Sequence, residues 1–201
     1  QAGASAIDRL KDEAREGLAV LRGKDGSEVW RNASLKYTGP CILYHDQIIT
    51  TPTSYKISAG AYGLLDGKPQ LIANPLTGQL EPWKIYRTYG CNTPIASEHL
   101  MTFRSGAAGF YDLENHSGTG NFGGFRSGCS GNLVVANGVL NAPDFTRTCS
   151  CSYQNQASLA LVHMPELEFW THNLFGNEVR GRQRIERLGI NFGAPGDRRG
   201  P

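Results

Sequence analysis

The chain has no Cys-x-x-Cys pair, so zinc-ribbon and haem-attachment sites lack their defining spacing. Its five histidines, His45, His99, His116, His163 and His172, never stand four apart on a helical pattern or two apart on a strand pattern. Each therefore reads as a surface or turn histidine. Apolar runs are short: Leu133-Val134-Val135-Ala136 is among the longest, against the roughly 18 residues a membrane-crossing helix needs. No membrane span is expected. Hydrophobic residues make up 39% of the chain, low for a helical bundle, and only one stretch has helical spacing.

What the chain has is glycine, 25 in 201 residues, in a texture of short apolar runs bounded by Gly, Asn, Asp and Pro. That composition suits strands joined by turns, an all-β fold. Candidate strands fall at 18–21, 28–31, 41–44, 47–50, 62–65, 83–86, 99–104, 109–112, 132–136, 139–142, 158–162 and 168–172. His45-Asp46 and Asn137-Gly138 each join two of them, Asn-Gly being a strong hairpin signal because both residues tolerate positive φ. Residues 6–16 form the one helical pattern, with Ile7, Leu10 and Ala14 on one face and Gly17 as its stop. Residues 114–128 carry Gly118, Gly120, Gly123, Gly124 and Gly128 and read as a long loop rather than regular structure.

Three stretches close alike: an apolar run, a polar turn, then a tryptophan. Leu18-Ala19-Val20-Leu21 leads to Trp30, Tyr62-Gly63-Leu64-Leu65 and the turn Pro75-Leu76-Thr77-Gly78 lead to Trp83, and Leu159-Ala160-Leu161-Val162 leads to Trp170. A repeated unit of this size points to a modular array whose hairpins stack on their neighbours. The Trp spacing is uneven, 53 and then 87 residues, and the long gap holds a further unit around 100–113 without a closing Trp. Each Trp is expected in the core between adjacent units, burying about 150–250 Å².

Five cysteines in a chain of this size suggest an oxidising compartment. Cys91, Cys129, Cys149 and Cys151 are disulfide candidates that would pin the glycine-rich stretch, the alternative being a soft-metal or redox pair at Cys149-Ser150-Cys151. Cys41, beside Ile42-Leu43, is the expected unpaired thiol and a small buried hydrophobe. Asn92, Arg104, Asp112, Arg126, Arg147 and Tyr153 share this region and could line a polar pocket for an anionic or sugar-like ligand. Asp112 and Asp144 are the carboxylates there that could act as a base. Gly118-x-Gly120-x-x-Gly123 fits a dinucleotide fingerprint in letters only, lacking the strand before and the helix after.

The formal net charge is +2, with Arg180, Arg182, Arg184, Arg187, Arg198 and Arg199 crowded near the end. No aromatic residues interleave them for base stacking, so they read as a solvated linker and nucleic acid is not an expected partner. The chain opens at Gln1 without Met or a charged-then-apolar leader and closes in Gly193-Ala194-Pro195-Gly196-Asp197-Arg198-Arg199, which suggests a fragment of a longer protein.

The segment Val20-Leu21 to Gly26 to Trp30 resembles the repeat of pyrroloquinoline-quinone (PQQ) propellers, and Ala160-Leu161 to Trp170 resembles it more loosely. Tyr89-Gly90-Cys91-Asn92, Leu100-Met101-Thr102-Phe103-Arg104-Ser105, Tyr111-Asp112-Leu113, Gly124-Phe125-Arg126-Ser127-Gly128-Cys129 and Thr148-Cys149-Ser150-Cys151-Ser152-Tyr153 together resemble planctomycete PQQ-like repeat proteins. The likeness covers roughly 18–199. It implies a partial β-propeller of about three to four blades: a helical lead-in at 1–17, blades at 18–175 with a Gly/Cys-rich insertion at 114–153, and a basic linker at 176–201. It implies an exported, periplasmic or otherwise extracytoplasmic module serving as a binding or assembly platform. Its partners would be the remaining blades and flanking domains of the same protein, and a protein or small-molecule ligand. The alternative is a quinoprotein dehydrogenase that oxidises alcohols or sugars with PQQ and calcium. Such enzymes often carry a disulfide between adjacent cysteines, and Cys149-Ser150-Cys151 is one residue too wide for it.

Overall fold

A computed structural model describes residues 14–51, 60–74, 77–87, 90, 92–116, 118–126, 128, 133–143 and 157–163. All its regular structure is β. The first sheet runs in chain order through β1 (Ala14–Leu21), β2 (Glu28–Tyr44), β3 (Gln47–Thr51) and β4 (Ala61–Gly63). A hairpin of β5 (Leu71–Ala73) and β6 (Leu80–Pro82) follows. The second four-stranded sheet is β7 (Ile95–Ala96), β8 (Leu100–Ser105), β9 (Ala107–Asp112) and β10 (Thr119–Asn121), again in chain order, and a three-stranded sheet holds β11 (Val134–Ala136), β12 (Val139–Ala142) and β13 (Leu159–Val162). Every named pair is antiparallel and joins strands consecutive in the chain, and no sheet closes on itself among the described residues.

The sheets pack face to face. Ile49 and Ala61 from the first sheet meet Trp83, Ile85, Met101, Phe103, Tyr111 and Leu113 in one core. A second core, Ala108, Leu133, Leu140 and Ala142 with Phe122, Phe125 and Leu161 against it, lies between the second sheet and the third. Side chains alternate across a strand, so Met101 and Phe103 face the first sheet while Thr102 turns the other way, its hydroxyl donating to the Leu133 carbonyl at 2.7 Å. The second sheet is thus covered on both faces, and residues 101–105 of β8 are all buried.

A six-residue turn recurs along the chain. In 22–27, 63–68 and 74–79 the first residue's N–H donates to the sixth residue's carbonyl and the fifth residue's N–H donates to the first residue's carbonyl, all at 2.8 to 2.9 Å. In each, the fourth residue's side chain, Asp25, Asp66 or Thr77, accepts from the sixth residue's N–H. The fifth position has φ of 72°, 65° and 69° at Gly26, Gly67 and Gly78, a left-handed conformation for which glycine carries no Cβ penalty. A fourth, related turn begins at Asp112 and shares two of these features, His116 N–H donating to the Asp112 carbonyl at 3.0 Å and a left-handed fifth position, His116 at φ 53°. The fifth positions, 26, 67, 78 and 116, are 41, 11 and 38 residues apart, so the turn recurs without one fixed period.

Trp30 sits on the second of these turns. Its indole N–H donates to the Leu64 carbonyl at 2.9 Å, and a Cβ added to Gly67 would stand 2.7 Å from the ring. Trp30 is only half-buried there, against the expectation of a core position. Trp83, 3% exposed, packs edge-on to Tyr111, just before the fourth turn, with centroids 5.3 Å apart. Trp170 lies outside the described residues.

Several sequence expectations are corrected. Residues 14–16, read as the end of a helix, are strand, because their backbone pairs with Lys36, Tyr37 and Thr38 of β2; residues 1–13 lie outside the described residues. Residues 32–40, outside the candidate strands 28–31 and 41–44, join them into one strand, β2, with a register shift between Thr38 and Ile42 that absorbs Gly39-Pro40. Residues 83–86 make only an isolated bridge, Lys84 to Gly60. The glycine-rich stretch contains β10, whose Gly120 lies beneath the Phe110 ring where a Cβ would collide. Cys41 carries a free thiol and is half-buried.

Candidate functional site

The alternation that buries Trp83 and Ile85 also turns Arg87 inward, to 6% exposure. Its Nε donates to the Arg104 carbonyl at 2.9 Å, and its Nη2 donates to the Asn92 carbonyl at 3.1 Å and to Asn92 Oδ1 at 3.0 Å. The guanidinium lies 5.3 Å above the Phe103 ring. Asn92 Oδ1 accepts a second bond, from the Arg104 backbone N–H at 2.9 Å. Gly90 lies against this knot, and any Cβ there would overlap the Arg104 carbonyl. Arg104 closes its own hairpin, Nε to the Gly106 carbonyl at 2.9 Å.

Arg126 is 1% exposed and follows Phe125, whose carbonyl accepts the Ala108 N–H at 2.7 Å. Arg87, Arg104 and Arg126 are thus three buried cations around one end of the second sheet, and no carboxylate is buried among the described residues. A guanidinium is a donor-only fork that stays protonated. The cluster suits holding carbonyls or an anionic group, and it supplies no general base.

The structure brings the sequence candidates Asn92 and Arg104 into direct contact and buries Arg126 with them in the second sheet's surroundings. It does not bring Asp112. That residue pairs with Leu100 at the opposite end of β8, four positions from Ala108 along β9, or about 13 Å of strand. Its carboxylate accepts from the N–H groups of Glu114 and Asn115 at 2.9 Å each and from the Asn115 side chain at 2.7 Å. Burial pushes this carboxyl up, but the bonds from Asn115 and Glu114 and the nearby His116 outweigh it and hold its pKa below the ordinary value. Asp112 is therefore an ionised cap of its own turn. Arg147, Tyr153, Asp144, Cys91, Cys129, Cys149 and Cys151 lie outside the described residues.

Sequence reasoning missed Arg87 and His116. The 83-85-87 alternation could have found the first; the second is visible only once the repeated turn is known. Calcium needs several oxygen ligands together, and no group of three His, Cys, Asp or Glu among the described residues could hold a metal ion. No helix among them is long and apolar enough to cross a membrane. No protein-family model matches the sequence, and no curated protein matches it.

Proposed function

We propose that the chain is part of a propeller-type module of an exported protein and serves as a binding or assembly platform rather than as a quinoprotein enzyme. One observation carries this reading: the second sheet is covered on both faces by neighbouring sheets, each a meander of strands consecutive in the chain. Blades arranged around an axis pack in this way, and a closed sandwich of two sheets does not require it. The recurring turn, with one tryptophan docked on its second copy and another packed beside the fourth, supports a repeated unit. The platform reading is favoured over dehydrogenation because Asp112 is engaged by its own turn and the buried cations are guanidinium groups, which do not exchange protons at neutral pH.

The test is titration of the 201-residue chain with PQQ and Ca²⁺ by calorimetry, alongside dye-linked oxidation of alcohols and sugars. The expected result is neither saturable quinone binding nor turnover. Quinone-dependent turnover that Asp112→Asn or Asp144→Asn abolishes would replace the platform with the dehydrogenase.

A further inference from the structure

The fourth turn differs from the other three in having a titratable side chain where they have glycine. His116 reaches back to the core: the Tyr111 hydroxyl and His116 Nδ1 are 3.1 Å apart, and the two rings lie 5.9 Å apart. Tyr111 is 1% exposed and packs edge-on against Trp83. A buried hydroxyl needs an acceptor for its proton, and His116 Nδ1 is the partner it has among the described residues. Its proton therefore goes to Nδ1, which makes the imidazole the neutral tautomer with its proton on Nε2.

We infer that His116 is an acid-sensitive latch, whose protonation breaks the Tyr111–His116 hydrogen bond and loosens the core, shared by the first and second four-stranded sheets, in which Tyr111 packs on Trp83. A protonated ring donates from both nitrogens, so Nδ1 can no longer accept the Tyr111 proton. That hydroxyl, inside the core with Trp83, Ile49 and Ala61, is left with a donor and no acceptor in place. The charged and titratable groups around the ring are few. Asp112, at the end of β9, favours the protonated ring; Tyr111 faces it from the core, with Trp83 packed on Tyr111. Glu114, in the same turn, is exposed and paired with His99 at 3.8 Å, and Glu98 on the neighbouring turn is paired with His45 at 3.2 Å. Burial lowers the His116 pKa from 6.5, and the attraction of Asp112 only partly offsets it.

A histidine with a folded pKa below its unfolded value contributes stability that is complete above the unfolded value, near 6.5. That stability is lost as pH falls from there through the lowered folded value, by up to tenfold in the unfolding constant per pH unit. The experiment is an NMR titration of the chain from pH 8 to 5, with ¹³C-labelled histidine rings and ¹⁵N-labelled indoles, paired with thermal melts of the native chain and His116→Asn. Asparagine tolerates the left-handed turn and keeps a carbonyl acceptor without titrating. We expect a His116 midpoint below the ordinary histidine value, a Trp83 indole resonance that moves with that midpoint while the Trp30 resonance does not, and a loss of Tm on acidification that His116→Asn largely removes. A His116 midpoint at or above the ordinary value, or a Trp83 resonance indifferent to it, overturns the latch. So does an acid-induced loss of Tm that persists in His116→Asn. The ring and indole titrations use only the native chain, so they decide the matter even if the variant does not fold.

Discussion

The two four-stranded sheets have the same strand count and the same meander order, yet they are buried differently. In the first, β1 has no fully buried residue and ends in Leu21, 57% exposed. In the second, five consecutive residues of β8 are buried and Met101 and Phe103 have no exposure at all. The strands themselves do not cause this. β8 is covered by the first sheet on one face and the third on the other, whereas β1 is the free edge of its sheet among the described residues. Strand order alone does not set burial; stability is conferred by stacking, as in arrays whose units cannot bury both faces alone.

The sharpest way to break that contrast is a pair of truncations. Phe103→Ala removes a fully buried ring from between two sheets and from beneath the Arg87 guanidinium, and should cost about 3–5 kcal/mol in chemical unfolding. Leu21→Ala, at the exposed end of β1, should stay within about 0.5 kcal/mol. Similar losses for the two would mean that the second sheet is not the keystone of the stack.

The same contrast explains what could be read from the sequence. The hairpins at His45-Asp46 and Asn137-Gly138 were legible because positive φ is a local demand: His45, Asn137 and Gly138 adopt 49°, 50° and 75°. The long strand β2 was not. Asn32 to Pro40 is polar and contains Gly39-Pro40, and it is extended because β1 supplies ladder partners to Asn32, Lys36, Tyr37 and Thr38, with β3 pairing Thr38 from the other side. Good helix formers at Ala14, Arg15 and Glu16 are overridden in the same way, with Glu16 opposite Lys36 across the strands, their charged groups 3.9 Å apart. Of the candidate site, Asn92, Arg104 and Arg126 were identifiable as polar residues in the cysteine-rich region. That Asp112 belongs to a turn at the other end of the strand was not, since a capping carboxylate and a catalytic one look alike until the N–H groups around them are placed.

A medium effect isolates the docked tryptophan of the first sheet. Gly67 and Gly78 hold the same place in the same turn at φ of 65° and 69°, but a Cβ on Gly67 meets Trp30 at 2.7 Å and one on Gly78 meets nothing within 4 Å. Gly78→Ala should therefore cost only the left-handed conformation, about 1–2 kcal/mol. Gly67→Ala carries that cost and the displacement of the indole from the Leu64 carbonyl as well. The difference between the two melting temperatures measures the docking contact. A Trp30→Ala background should bring the two alanine variants together, and a difference that survives it would locate the cost elsewhere.

The smallest effect compares the carboxylates of two turns. Asp25 caps the fully exposed turn of the first sheet, where bonds from the Ser27 hydroxyl and N–H lower its pKa. Asp112 caps the part-buried turn of the second, where burial raises its pKa but the bonds from Asn115 and Glu114 lower it further. In both, the folded value lies below the unfolded one. Each therefore contributes stability that is complete above the unfolded carboxylate value near 3.9 and is lost as pH falls through the lowered folded value. Water screens Asp25 on every side, whereas the Asp112 bonds hold the turn that carries His116 against the core. Asp112→Asn should accordingly flatten the acid limb of the Tm-against-pH curve below about pH 4 more than Asp25→Asn does. Equal flattening by the two would show that the second sheet's turn gains nothing from the burial that sets the rest of that sheet apart.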